Sequence, residues 1–429
     1  MQATKTIDFM GYSVEWSPFD ESKLACSSAQ NFGIIGTGKQ FVFSCKGNSI
    51  REIACFEAKD GVYECSWSES VDSHLAFAMG DGTVKLWDFK ANKLLRDWRE
   101  HTAEVYSVDW NLINKENIIS GAWDNTIKLW HPDEPKSIRT FKEHTHCIYS
   151  TVWHPKHPDM FASASGDCTV KIWDSNDPKS VHTILAHKFE ILTCDWNKYN
   201  EYQLVTGSVD KSIRTWDTRN PKLPTCVLEG HEFAVRRLKC SPHSEKIIAS
   251  CSYDMSLAIW DTSTEDALVK KYEHHTEFVL GVDFNVFVEN QIASCSWDES
   301  ICVWNIGKDL DRRLMGGAPV PVFTSTSSSA ASAIAEATAG LSVAPIPAPA
   351  ASSAVTPTVP MQSPGAPVAT SVPAAQTPQT SVVAPAPAPT TSSVGKPSPA
   401  TEPATPVVKP AAKGSGASGT KKKKHRKKK

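Results

Sequence analysis

The sequence predicts an all-β protein. It would be a seven-bladed β-propeller over residues 1–317, a disordered low-complexity tail over 318–420 and a polybasic run over 421–429. Three observations predict it: a break in composition near Ala318, a repeat of 43 or 44 residues before that break, and short alternating apolar runs between turn residues inside each repeat. All 14 Trp lie at or before Trp304 and all 12 Cys at or before Cys302, whereas 19 of the 28 Pro fall between Pro319 and Pro410. The residues that build a core therefore stop where the Pro-rich stretch begins.

The period comes first, because it decides the architecture. Trp87, Trp130, Trp173, Trp216, Trp260 and Trp304 stand 43, 43, 43, 44 and 44 residues apart, and a further 44 back lies Phe43, which makes seven copies. Asp81, Asp124, Asp167, Asp210, Asp254 and Asp298 each precede their Trp by six residues. This period with a Trp-Asp ending is the signature of WD repeats, four short strands to a blade. The third copy supplies them as Val105–Trp110, Asn117–Gly121, Ile127–Trp130 and Ser137–Phe141, with Asp124 and Asn125 in the turn between the middle two. A ring needs its last sheet completed from the other end of the chain, or an edge stays unpaired. Thr4–Phe9 is the expected closing strand, ahead of the first inner strand at Tyr12–Trp16.

The polar residues keep the same register. His101, Ser120, Asp124 and Trp130 form one set. His144, Ser163, Asp167 and Trp173 form the next, then His187, Thr206, Asp210 and Trp216, then His231, Ser250, Asp254 and Trp260, and last His275, Ser294, Asp298 and Trp304. Each set can make one buried hydrogen-bond chain, worthwhile when every member is satisfied. Five near-identical sets argue for structure over catalysis, which needs one individually tuned site, so no enzyme is expected. The second copy has Ala58 and Phe77 at the His and Ser offsets, and should be held by apolar packing. There is no phosphate-cradling Gly loop, no HExxH and no metal-binding Cys/His spacing, so neither cofactor nor metal is expected. The Cys are expected to be reduced thiols.

Net charge divides as sharply as composition. The formal charge of -2 conceals -11 over residues 1–317 and eight positive charges in Lys421–Lys429. The opening MQATKTIDFM lacks a basic-then-apolar stretch, and no run of ~18 apolar residues survives the Pro, Ser and Thr of the tail. Neither a secretory route nor a membrane span is expected.

Between the repeat markers stand YSVEWSPFDESKLACSSAQNFGIIGTGKQFVF in the first copy, DGVYECSWSE in the second, SGAWDNTIKLWHP in the third, and HEFAVRRLKCSPH with SCSYDMSLAIWD in the sixth. From about Thr6 to Gly307 these closely resemble the peroxin-seven family, WD-repeat receptors for the type-2 peroxisomal targeting signal. The resemblance implies a cytoplasmic carrier, shuttling to the peroxisome, that recognises Arg/Lys, Leu/Val/Ile, five residues, His/Gln, Leu/Ala near the N-terminus of matrix proteins. It further implies delivery to a docking complex with a co-receptor, the long form of the type-1 signal receptor or an equivalent. Drawn as a helix, such a signal is a helix-in-groove ligand, and an acidic ring suits its positive charge.

Inter-blade loops, inner-strand starts and middle turns converge on one rim of a propeller. On that rim Glu104 and Glu190, backed by Asp60 and Glu277, are the candidate partners of the basic residue. Tyr106, Tyr149, Trp123, Tyr253, Trp297 and Phe278 are the candidates for the apolar face. Arg236 is assigned to the polar residue of the signal, to a co-receptor carboxylate or to blade structure. The competing reading is a WD-repeat scaffold of a chromatin or RNA complex, with nucleic acid or an anionic surface met only through the polybasic end. That end has no interleaved aromatics for stacking on bases.

Overall fold

A computed structural model describes residues 1–47 and 49–314. The expected tail and polybasic run lie outside the described residues. Seven four-stranded antiparallel sheets follow one another along the chain. Their inner strands are Met10–Trp16, Val62–Trp67, Val105–Trp110, Ile148–Trp153, Ile191–Trp196, Val235–Cys240 and Val279–Phe284, which define blades 1 to 7.

Blade 7 takes its outer strand from the chain start, as ring closure demands, but at Gln2–Lys5, with Gln2 opposite Val303 and Lys5 opposite Ser300. The expected strand Thr4–Phe9 is corrected here because the chain turns at Thr6. Thr6 Oγ1 donates to the Phe9 carbonyl, the Phe9 N–H donates back to the Thr6 carbonyl, and Asp8 has φ 67°. Phe9 then packs edge-on against Phe41 of blade 1. In blade 3 the second strand is Ile118–Ala122, one residue later than expected. The fourth strand shortens to Arg139–Phe141, because Ser137 is drawn off by Glu100, to which both its hydroxyl and its N–H donate.

The blade networks take one form five times. In blade 3 the Trp130 indole N–H donates to Ser120 Oγ at 2.8 Å, Ser120 Oγ lies 2.8 Å from His101 Nε2, and His101 Nδ1 lies 2.9 Å from Asp124. A neutral His with its proton on Nδ1 makes this one continuous donor chain. Blades 4 to 7 repeat it through His144, His187, His231 and His275. Burial pushes the Asp124 carboxyl upward, but bonds from His101 and Thr126 outweigh it and hold its pKa well below the usual range. Where the set is missing, Phe56 packs on Phe77 and Trp87 in blade 2, and Phe41 on Phe43 in blade 1.

Neighbouring blades are clasped along the central channel. The Trp16 N–H donates to Asp283 of blade 7, Trp67 to Glu15, Trp153 to Asp109 and Cys240 to Asp195. Each carboxylate thus occupies a backbone donor that the next sheet leaves free. These acids surround partly buried Lys239, whose ammonium desolvation opposes but their charge upholds. Above them Arg237 of blade 6 pairs with Glu64 of blade 2 across the channel.

Candidate functional site

Each inner strand carries one β-bulge near its start, where its register against the second strand skips a residue. The skipped residues are Tyr12, Tyr63, Tyr106, Tyr149, Leu192, Arg236 and Leu280 in blade order. A bulge re-aims a side chain out of the strand's alternation. Seven repeats of it set seven side chains around one mouth of the channel. Next to each bulge, the N–H of the middle-turn residue donates to the inter-blade loop: Trp123 to the Glu104 carbonyl at 2.9 Å, Tyr253 to Ala234 at 3.1 Å, and Trp297 to Phe278 at 3.0 Å.

The result is a continuous aromatic basin. Tyr12, Tyr63 and Tyr106 are buried in its floor, and Trp123, Tyr149, Tyr253, Phe278, Trp297 and Met10 are partly buried around it. Tyr106 stacks on Trp123 at 5.1 Å and meets Tyr149 edge-on at 5.8 Å, while Tyr253, Phe278 and Trp297 follow at 4.8 and 5.3 Å. All six sequence-predicted aromatics therefore share one cluster. Tyr12 and Tyr63, not among those six, belong to it too. The arc is interrupted at blade 5 by Leu192 and Val209.

The carboxylates stand at the edge. Asp60 and Glu104 lie close enough to influence each other: burial raises the Asp60 pKa, Asp81 and Glu104 add to the rise, and the Gly61 N–H opposes it. Glu190 is half-buried near Tyr149, and Glu277 is exposed beside Phe278. Among the described residues none of these four is within ion-pair distance of a Lys, Arg or His. By contrast Glu100 and Glu143, lower on the blades, are each matched by a lysine, Lys128 and Lys171, at 3.4 Å.

Arg236 is not on the exposed rim. It is 1% exposed, with its guanidinium 5.0 Å above the Tyr106 ring, and Nη1 and Nη2 have no hydrogen-bond partner among the described residues. The bulge turns the Arg236 side chain inward against the aromatics, where it is buried rather than exposed at the mouth. The indole N–H groups of Trp123 and Trp297 also lack acceptors. The basin thus offers apolar rings, buried donors and an acidic edge that no described cation matches, a combination suited to an amphipathic cationic segment.

Among the described residues no group of His, Cys, Asp and Glu is placed to hold a metal, no helix is long and apolar enough to cross a membrane, and the twelve cysteines are free.

The family model described as WD domain, G-beta repeat, matches residues 92–131, 135–174, 178–217, 222–261 and 266–305. Curated relatives include the peroxisomal targeting signal 2 receptor of Dictyostelium discoideum, 54% identical over 108 residues, which is 24% of this chain and 34% of that protein. Peroxisome biogenesis protein 7 of Arabidopsis thaliana is 51% identical over 24% of this chain and 34% of its own. The human peroxisomal targeting signal 2 receptor is 46% identical over 24% and 32%. The matched stretches span about a third of the length of these relatives.

Proposed function

We propose that the chain is a WD-repeat receptor of the peroxisomal targeting signal 2 receptor family and that it binds a type-2 peroxisomal targeting signal in the aromatic basin. The carrying observation is the conjunction of that basin with Asp60, Glu104 and Glu190, carboxylates that have no cationic partner among the described residues. A basic helix supplies the missing charge and an apolar stripe in one ligand. In this reading Glu104 and Glu190 meet the basic residue, with Asp60 and Glu277 in support. Tyr106, Tyr149, Trp123, Tyr253, Trp297 and Phe278 hold the apolar face, and Arg236 fixes the floor. The protein would act as a non-enzymatic carrier between cytosol and peroxisome, delivering matrix proteins with a co-receptor to a docking complex.

Titration of the full chain with a labelled type-2 signal peptide tests this. Saturable binding that weakens when the peptide's basic residue becomes Ala, and again in Glu104→Lys with Glu190→Lys, is expected. No binding of the unaltered peptide overturns the receptor reading, and indifference to all three changes overturns the site.

A further inference from the structure

The segment AQNFGIIGTG, outside the six aromatics and four carboxylates assigned to the signal, forms a loop over Asn31–Gly36 that leans on the basin. Asn31, Phe32, Gly33 and Gly36 all have positive φ, at 46°, 58°, 71° and 112°, so the loop follows a path that an ordinary surface turn does not take. Two floor tyrosines fix it. Tyr12 Oη donates to the Phe32 carbonyl at 2.7 Å, and Tyr63 Oη donates to the Gly33 carbonyl at 3.1 Å. A side chain at Gly33 would collide with the Tyr12 hydroxyl at 2.6 Å, so the latch needs glycine there.

The latch presents apolar surface. Phe32 packs at 5.2 Å on Trp297, yet remains 43% exposed, and Ile34 and Ile35 are 55% and 72% exposed. Three large apolar side chains held outward at the margin of an aromatic basin form a lip left largely exposed among the described residues. Acidic groups stand on the same side, because Gly38, where the loop rejoins its strand, abuts the backbone of Asp60 and Gly61.

We propose that this lip is the second wall of the signal site, and that Phe32 and Ile35 grip the bulky aliphatic residues of the bound amphipathic helix and read their size. Tyr12 and Tyr63 are positioning residues that hold the lip in place. The occupant is the cationic helix itself, since the lip continues the basin through Trp297 and adjoins carboxylates that no described cation pairs. This inference rests on the receptor reading above.

The test uses the full chain and two signal peptides, one with Leu and one with Ala at its aliphatic positions, both keeping the basic residue. Phe32→Ala and Ile35→Ser should each weaken the Leu peptide about ten-fold, the scale of one apolar side chain uncovered. The Ala peptide should lose far less, and the salt dependence should not change because no charge is removed. Tyr12→Phe with Tyr63→Phe should reduce the Leu-over-Ala preference in the same direction. If the unaltered chain binds and all these variants keep its affinities and its preference, the lip has another occupant and the inference falls alone. If the unaltered chain binds neither peptide, the receptor reading falls and takes the inference with it.

Discussion

Replacing Glu104 with Gln tests the acidic edge most directly, since it removes one charge and keeps the shape. Two unit charges 4 Å apart attract by about 4 kcal/mol at an effective dielectric of 20. Glu104 is half-buried, so screening by solvent leaves about 1–2 kcal/mol of that. The dissociation constant of a basic signal peptide should therefore rise about 5- to 30-fold. Fluorescence anisotropy of a labelled peptide at low and high salt provides the measurement, and the loss should shrink as salt screens the pair. A second peptide with its basic residue changed to Ala closes a double-mutant cycle: on that peptide Glu104→Gln should cost almost nothing. Exposed Glu277→Gln should change mainly the association rate. An equal loss for both peptides, or none for either, refutes the assignment of Glu104 to the cation.

Three further outcomes concern stability. Glu64→Gln strands the buried Arg237 cation without its partner, which should cost about 3–5 kcal/mol and appear in urea unfolding as an earlier midpoint. Ser120→Ala removes the acceptor of the Trp130 indole N–H and the partner of His101 Nε2, for a loss of about 1–3 kcal/mol. Burial raises the Asp109 pKa to about 6, against an ordinary value near ~3.9. Its contribution to stability is therefore full below the ordinary value and lost as pH rises through about 6, the opposite of the five His-bonded Asp, whose lowered values make theirs vanish only in acid. Asp109→Asn keeps an acceptor for the Trp153 N–H, so the variant should gain on the parent between pH ~4 and ~7, and a constant difference across that range would count against the burial of a charged Asp109.

The repeat was legible because its markers are local. His, Ser or Thr, Asp and Trp at fixed offsets meet in the structure through the bonds those offsets imply, as His101, Ser120, Asp124 and Trp130 do. Ring closure was legible as a topological need, but not its register, since Thr6–Phe9 turns through bonds that the composition of that stretch does not announce. The bulges were invisible, because an extra residue in one strand leaves the apolar alternation of a short strand nearly intact. They alone explain why Arg236, placed on the rim by its spacing, is buried with its guanidinium over the Tyr106 ring instead. Glu64 and Arg237 stand 173 residues apart in blades that do not adjoin, so only the closed ring brings them together.

The mouth of the ring is chemically lopsided where the fold is repetitive, and this sets a direction for any charged ligand. Bulge positions carry Tyr in blades 1 to 4, Leu in blades 5 and 7, and a cation, Arg236, in blade 6. Asp60 and Glu104 stand together at blades 2 and 3, whereas Glu190 stands alone in blade 5, and the Arg236 guanidinium reaches from blade 6 to the Tyr106 ring of blade 3. Two carboxylates at one place outweigh a single one, so the cationic end of a bound helix should settle over blades 2 and 3. On this reasoning Glu104→Gln weakens a basic peptide more than Glu190→Gln does. Arg236→Met, which removes the cation beside Tyr106 without emptying the floor, should widen the gap between them. Equal losses at the two glutamates, unchanged by Arg236→Met, would mean that the ligand's charge does not distinguish the two sides of the mouth.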